Sequence, residues 1–409
     1  MLKNKKRIAI IGAGFTGLIS AYFYKIRGYE VNIFETSKNI GGITNDLFFD
    51  NQNFFSGCHQ LILSDWLKKI NKKNELKLKT YKVHYGNYTE EKKNLSFDWS
   101  YPVPTFDRDF NVKNNTKKIS SLENRINMYP KDISSFLKKW INQNQETLNL
   151  KNLDDKSAYG FALTKIAIKK KPKEIIKLKK KNKFFNELYA IKNFLSNKNQ
   201  QRCLIPKNGY FEFFKIFYEL LIKKKINFFL KSPVRPVWRK NKLYLVLRGK
   251  EMEYEKILWT GNPVALIKNF GYEKLDSKYT NIKITCGSLK NKINNCFFIQ
   301  VYSLKTSISR IYVYKIKNET KFTIENYCNG KDENIILKTK EILSKFKINF
   351  DIKNDLYEHQ VKRHSLISLK DNKIISKFLK KTKKTNLVYY DWRVYGRDQR
   401  INSVIKNIK

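Results

Sequence analysis

Residues 7–35 read RIAIIGAGFTGLISAYFYKIRGYEVNIFE, and this stretch decides the fold. Arg7–Ile11 is a short apolar run of the kind buried on both faces of a parallel sheet. Gly12, Gly14 and Gly17 follow in a G-x-G-x-x-G turn. Leu18–Ile26 has helical spacing and ends at Gly28, the usual residue at a helix C-terminus. Val31–Phe34 is a second strand, ending at Glu35. Each glycine has a task. Gly12 permits the tight turn out of the strand, Gly14 lets a pyrophosphate approach the backbone, and Gly17 lets the helix pack on the strand. The free N–H groups and the helix dipole then face the phosphates. The turn Gly12-Ala13-Gly14-Phe15-Thr16-Gly17 is therefore expected to hold a dinucleotide. Glu35 would accept both hydroxyls of an unphosphorylated ribose, with Thr36 beside it.

Just beyond Glu35 lies SKNIGGITND, in which Gly41 and Gly42, followed by Ile43 and Thr44, form a second glycine turn. The segment Ser56-Gly57-Cys58-His59 follows. A βαβ unit ending in Glu, a GG motif and a G-x-H segment in this order resemble the superfamily of FAD-dependent amine oxidases, protoporphyrinogen oxidases, phytoene desaturases and UDP-galactopyranose mutases. Three later segments add to the resemblance. Cys203–Phe214 (CLIPKNGYFEFF) is similar to the family's P-x-G-G segment, with Asn208 in place of the first glycine. Lys256–Phe270 contains W-T-G-N-P, which resembles the strand and turn that return the chain to the cofactor. YYDWRVYGRDQRINSVI is similar to the C-terminal strand, turn and helix at the flavin, with Asp391 where a glycine is usual. No second G-x-G-x-x-G occurs, so a separate pyridine-nucleotide domain is not expected.

The resemblance implies FAD as cofactor. It adds Thr260, Gly261, Arg393 and Ile401 to the cofactor contacts, and it brings His59 and Arg393 to the flavin as the catalytic pair. A hydrogen-bonded loop histidine is the competing role for His59. Arg397, in the same turn as Arg393, is the second choice for a cation near the flavin. Tyr210, Arg202, Arg363 and Trp392 are substrate candidates, the arginines because guanidinium grips phosphate or carboxylate in a fork. Core packing is the competing role of Tyr210, Trp259, Tyr357 and Trp392.

The fold class expected is α/β: a Rossmann-like FAD-binding domain with a parallel sheet, plus a mixed α+β substrate domain with a helical insertion. The FAD-binding parts would be residues 1–64, 201–270 (with a β-meander) and 383–409, the helical insertion 65–200, and the β-rich substrate domain 271–382. Helices are expected at Pro130–Trp140, Ser157–Ile168, Phe184–Leu195, Gly209–Leu221, around Glu333–Phe346, and at Ile401–Ile408. Strands are expected at Ile226–Leu230, Leu243–Leu247, Ile257–Trp259 and Asn386–Tyr390, and ISRIYVYKI alternates as a strand does. The prolines in SFDWSYPVPTF call for a loop or an edge strand.

Composition narrows the function. The chain has 409 residues, a formal net charge of +47, 83 Lys+Arg against 36 Asp+Glu, and 41% hydrophobic residues. The lysines are spread along the chain beside abundant Asn and Ile, so base composition accounts for most of the charge, and a nucleic-acid-binding tail is not expected. Cys58, Cys203, Cys286, Cys296 and Cys328 show no CxxC spacing, and His84, His359 and His364 are scattered. Neither a metal site nor a dithiol centre is expected. An odd cysteine count with no signal-like start fits the cytoplasm. No integral membrane segment is expected, and peripheral association with an anionic membrane stays open.

The leading functional reading is an FAD-dependent oxidoreductase that oxidises a small molecule held over the isoalloxazine, by hydride transfer to flavin N5. Two others stand beside it. One is a UDP-galactopyranose-mutase-like isomerase acting on an anionic nucleotide sugar through reduced flavin. The other is a degenerate flavin-binding protein without catalysis, which the lost glycines at Asn208 and Asp391 fit.

Overall fold

The computed structural model describes residues 6–57, 59–71, 75–91, 94–99, 102–110, 119–145, 148–182, 184–191, 202–276, 278–329, 334–353, 356–394 and 396–408. The chain opens with β1 (Arg7–Ile11), α1 (Phe15–Ile26) and β2 (Glu30–Phe34), followed by a hairpin of β3 (Asp46–Phe49) and β4 (Gln52–Phe55). Short α2 (Asp65–Ile70) leads into the long β5 (Leu78–Glu91) and β6 (Asn94–Asp98). Four helices come next: α3 (Leu122–Ile126), α4 (Lys131–Asn144), α5 (Pro172–Lys181) and α6 (Phe185–Leu188). β7 (Arg202–Pro206), α7 (Tyr210–Lys223) and β8 (Asn227–Phe229) return the chain to its first domain. The meander β9 (Arg235–Arg239), β10 (Lys242–Leu247) and β11 (Lys250–Met252) precedes β12 (Lys256–Trp259) and α8 (Val264–Asn269). Then come β13 (Lys278–Leu289), β14 (Cys296–Ser303), β15 (Ile308–Ile316), β16 (Glu319–Tyr327), α9 (Ile335–Lys345), β17 (Tyr357–Leu366), α10 (Leu369–Lys381) and α11 (Arg397–Lys406).

The first sheet has the order β12-β1-β2-β8, and all its pairings are parallel. Ile8, Ala9 and Ile10 of β1 and Val31 and Ile33 of β2 are fully buried, because helices or the meander cover both faces. The α/β expectation holds, with β1, α1 and β2 where the glycine turn requires them. The expected strand at Asn386–Tyr390 is reduced to one parallel rung, Leu387 beside Ile257. Two backbone bonds make it: Ile257 N–H donates to the Asn386 carbonyl at 2.9 Å, and Val388 N–H to the Ile257 carbonyl at 2.8 Å. β12 is only four residues long and offers little more edge than that.

The second sheet has eight strands, in the order β17-β13-β16-β15-β14-β5-β6, with β7 also paired to β5. α9 packs on one face, against Ile299, Val301, Ile311, Val313, Phe322 and Ile324. The other face meets the insertion α3–α6 through Tyr302, Tyr327 and Leu366, and the first domain through Tyr312 and Tyr314.

Several expectations need correction. The section 65–200, read as mainly helical, contains β5, fourteen residues that join the large sheet. Its second half is buried but polar, since Asn87, Thr89 and Glu90 find partners there, so hydropathy does not expose it. Ser157–Ile168 is not a helix. A 3-10 turn over Asp155–Phe161 stops at Ala162 (φ 53°), and the chain then runs extended, with Ile166 pairing Tyr189. That same pairing ends α6 at Leu188, so the helix expected over Phe184–Leu195 is four residues long within the described part. α10 was not anticipated.

The Asn386 side chain ties the chain's end to the meander. It accepts from Leu243 N–H at 2.8 Å and donates to the Leu243 and Tyr254 carbonyls at 2.8 and 3.1 Å. Asn386→Ala leaves these backbone groups without that partner and is expected to lower unfolding stability by about 2–3 kcal/mol, measured by urea denaturation.

Candidate cofactor and active site

Three backbone segments converge at the end of β1. Gly12 (φ 104°) turns the chain, and its N–H donates to the Phe34 carbonyl at 2.8 Å. Gly14 precedes α1 with no side-chain cap, so the first N–H groups of the helix face outward. A Cβ on Gly14 would meet nothing within 4 Å, whereas one on Gly17 would stand 2.0 Å from the Gly12 carbonyl oxygen. The second glycine turn docks on the first: Gly41 N–H donates to the Ala13 carbonyl at 2.8 Å, and Gly41 (φ 104°) and Gly42 (φ 59°) hold left-handed backbone. A Cβ on Gly41 would lie 2.5 Å from the Phe214 ring. Thr44 is buried at the end of this turn, and Ile43 is exposed. In the third segment, Thr260 donates both N–H and Oγ1–H to the Ile11 carbonyl at 2.9 Å, and Gly261 N–H adds a bond at 3.2 Å.

Glu35 is half-buried and already oriented. Its Oε2 accepts from Ala13 N–H at 2.8 Å, and its Oε1 from Ser37 N–H at 2.9 Å and Thr36 Oγ1–H at 3.1 Å. Thr16, in the first turn of α1, accepts from Ser20 through its carbonyl.

Behind the turns lies an aromatic and cationic wall. The Arg397 guanidinium sits 4.9 Å over the Phe15 ring and also donates to the Gln60 carbonyl. Tyr210 opens α7, is fully buried, and packs on Phe15, Phe55 and His59. Arg397 Nε is buried and meets no hydrogen-bond partner among the described residues, and the buried Tyr210 hydroxyl lies next to the Arg397 guanidinium. Burial holds the Tyr210 phenol well above its ordinary pKa, so it is neutral. α7 is positioned by Asp46, whose Oδ2 accepts from Phe211 N–H at 3.1 Å and Asn53 Nδ2–H at 2.9 Å.

His59 lies beside the second turn, its ring hydrogen-bonded to the Ile43 backbone and its Nε2 3.0 Å from Arg363 Nη2. Burial, and then Arg363 and Arg397, hold its pKa well below the ordinary value, so the imidazole is neutral and Nε2 accepts. Arg363 also donates to the Ser56 carbonyl at 3.1 Å and to Glu325 Oε1 at 3.4 Å. Glu325, 1% exposed, accepts through Oε2 from Arg310 at 3.1 Å. Arg310 lies 3.4 Å from His364 Nε2, and burial with the two arginines lowers the His364 pKa to about 3. One carboxylate thus joins two guanidiniums, each set against a neutral histidine.

The sequence candidates divide accordingly. Gly12, Ala13, Gly14, Gly17, Glu35, Gly41, Thr260 and Gly261 come together at the turns, and Phe15, Tyr210, His59 and Arg363 line the wall behind. Arg393 is committed elsewhere. Its Nε and Nη2 bind both oxygens of Asp391 at 2.7 and 2.8 Å, and Nη1 binds Asn372 and Ser376 of α10. Arg397, the second choice for that cation, stands over Phe15 beside the turns instead. Ile401 is fully buried where α11 packs on α1, so its place is in the core. Trp392 donates its indole N–H to the Trp259 carbonyl at 3.2 Å and so braces the Thr260 turn. Trp259 is itself 5% exposed, and Tyr357 stacks on Phe49. The side chain of Arg202 and the whole of Cys58 lie outside the described residues. Arg310, Glu325 and His364 were missed as site residues. The readable signal was ISRIYVYKI, whose alternation sets Arg310 on the same face as Tyr312 and Tyr314.

Residues 10–67 match the family model of the NAD(P)-binding Rossmann-like domain. Over 64 residues, 16% of the chain, it is 41% identical to a 4,4'-diapophytoene desaturase (4,4'-diaponeurosporene-forming) of Staphylococcus aureus. That match spans 13% of the relative's own length. A crystal structure of reduced UDP-galactopyranose mutase superposes with TM-score 0.66 over 99% of this chain and 95% of the other, at 12% identity. The cyclohexylamine oxidase of Brevibacterium oxydans IH-35A superposes with TM-score 0.61 over 99% and 98%, at 9% identity. The chain has their fold. The likeness in fold runs from the first strand to the last helix.

Gly17→Ala drives a methyl into a carbonyl and is expected to cost about 3 kcal/mol or more, whereas Gly14→Ala, with open space before it, is expected to cost about 1 kcal/mol; thermal melts separate them. Asp46 is buried, and desolvation raises its pKa to about 6 despite its hydrogen bonds. The folded protein then binds a proton more readily than the unfolded chain, so this group's contribution to stability falls as pH rises from about 4 to about 6. Asp46→Asn is expected to remove a pH dependence on the order of 2 kcal/mol, read from denaturation midpoints at pH 4.5 and pH 7.5.

Proposed function

We propose that the chain is an FAD-dependent oxidoreductase of the amine-oxidase-like superfamily. The docking of the second glycine turn on the first, with Gly41 N–H bonded to the Ala13 carbonyl beside the uncapped start of α1, carries this reading. The residues fit the dinucleotide. The space at Gly14 admits a pyrophosphate, Glu35 faces the ribose end, and the buried, unpartnered Arg397 Nε supplies a polar atom in an otherwise aromatic wall. Bound FAD would supply the two-electron acceptor for hydride removal from the substrate.

The chain's own residues do the rest. Gly12–Gly17 would bind the phosphates through backbone N–H groups, and Gly41–Thr44 would hold the cofactor's central portion. Arg397 would set positive charge near the ring system, in the role that Arg393 was expected to fill. Burial, and then Arg363, keep His59 neutral with Nε2 as an acceptor, so His59 orients rather than donates a proton from that atom. Arg310 and Arg363, together with Glu325, form the polar floor on which a small-molecule substrate would rest.

A second reading, a UDP-galactopyranose-mutase-like isomerase, is favoured by that floor, since guanidiniums suit the phosphates of a nucleotide sugar.

The absorption spectrum of the purified protein is the deciding measurement. The visible absorption bands of oxidised flavin are expected, and they should vanish in Gly14→Val while the circular dichroism stays unchanged. A colourless wild-type protein that takes up no FAD would overturn the reading. Hydrogen peroxide release with amines or tetrapyrroles then supports the oxidase. Turnover of UDP-galactose by dithionite-reduced protein supports the isomerase in its place.

A further inference from the structure

The large sheet carries a second concave site, on the face turned away from the glycine turns. Side chains of β14 alternate: Phe298 packs toward Tyr312 and the first domain, whereas Phe297, Ile299 and Val301 belong to the core under α9. At the start of that α9 face a groove of about 380 Å³ opens between β5, the β13–β14 loop and the turn after α9. That volume is within the range of small-molecule sites.

The lining has three kinds of chemistry. The first is a set of rings. His84 stacks on its register partner Phe297 at 5.6 Å, and Trp99 stands 5.5 Å from His84 and 5.7 Å from Phe297. Trp99 is held at 4.7 Å by Phe346 yet remains 39% exposed, so part of the indole is presented to solvent. The second is an amide. The Asn291 side-chain nitrogen is buried and meets no hydrogen-bond partner among the described residues. Such a group costs free energy unless a ligand satisfies it. The third is charge. Lys292 and Lys347, both exposed, flank the rings from two different loops.

We propose that this groove binds a nucleoside monophosphate, its base stacked on Trp99 and hydrogen-bonded by Asn291, its phosphate held between Lys292 and Lys347. Each part of the ligand answers a part of the lining. A base has a π-face for the indole and edge atoms for an amide. A phosphate suits paired ammonium groups, which bind it as point charges. A neutral sugar would leave both lysines without a role, and a bare phosphate would leave the rings without one. The site is distinct from the glycine turns, because the whole thickness of the sheet separates Phe297 from the Tyr312 face.

The test is calorimetric titration of adenosine 5'-monophosphate into protein saturated with FAD, so that the glycine turns are filled. Saturable binding in the micromolar to millimolar range is expected. Trp99→Leu should weaken it at least about fivefold, the low end of what one base gains from one aromatic side chain. Lys292→Glu, an exposed change with no folding consequence, should weaken it about tenfold or more, and adenosine should bind correspondingly less tightly than the monophosphate. The proposal is overturned if no saturable binding is seen up to 10 mM (roughly the weakest useful affinity), or if binding survives Trp99→Leu. It is equally overturned if inorganic phosphate binds as tightly as the nucleotide, or if a neutral oligosaccharide binds and the nucleotide does not.

Discussion

The closeness of three backbones at the end of β1 is the constraint on which the site depends. The Ile11 carbonyl accepts three hydrogens from Thr260 and Gly261, and the Ala13 carbonyl accepts one from Gly41. Such contacts leave no room for side chains. Gly17 would collide with a carbonyl, Gly41 with a phenyl ring, and Gly12 with the Thr260 hydroxyl, if any carried a Cβ. Gly14 is different, since the space before it is open. Three glycines of the cluster are thus needed for the fold, and the fourth leaves the backbone accessible.

The second organising feature is the buried Arg310–Glu325–Arg363 group. A lone charge in this setting would be costly, and the shared carboxylate offsets much of that cost. The group also links three strands, β15, β16 and β17, to the loop carrying Ser56 and His59. The sheet and the first domain are therefore joined by fixed charges as well as by apolar packing of Phe55 on Tyr314. Fixed dipoles and charges that need no rearrangement are what a reactive site requires of its surroundings.

Much of the first domain was legible in the sequence. The glycine spacing, the apolar strands and Glu35 each follow from a local physical requirement, and β1, α1, β2, β8 and β12 lie where these signals put them. The large sheet was not. β5 hides its strand character because its buried half is polar and satisfied by partners far away in sequence, such as Ser303 and Lys305. Arg393 and Arg397 are four residues apart, and which of them faces Phe15 depends on Asp391, the residue standing where a glycine is usual. Its carboxylate captures Arg393, an outcome that only the folded turn reveals. His364 joins the site because β17 lies next to β13, a pairing between segments about eighty residues apart.

The strand order also governs how the protein can be made. β1 and β2 are synthesised first, yet β1 has to wait for β12, about 250 residues later, and β2 for β8, about two hundred residues later. β5 likewise waits for β7 and β14. While the ribosome is still adding the middle of the chain, β1 and β2 have only each other, and their outer edges have no neighbours. Closing such distant pairs is slow, and exposed strand edges invite association with other chains. The first sheet is thus completed only after residue 259 has left the exit tunnel.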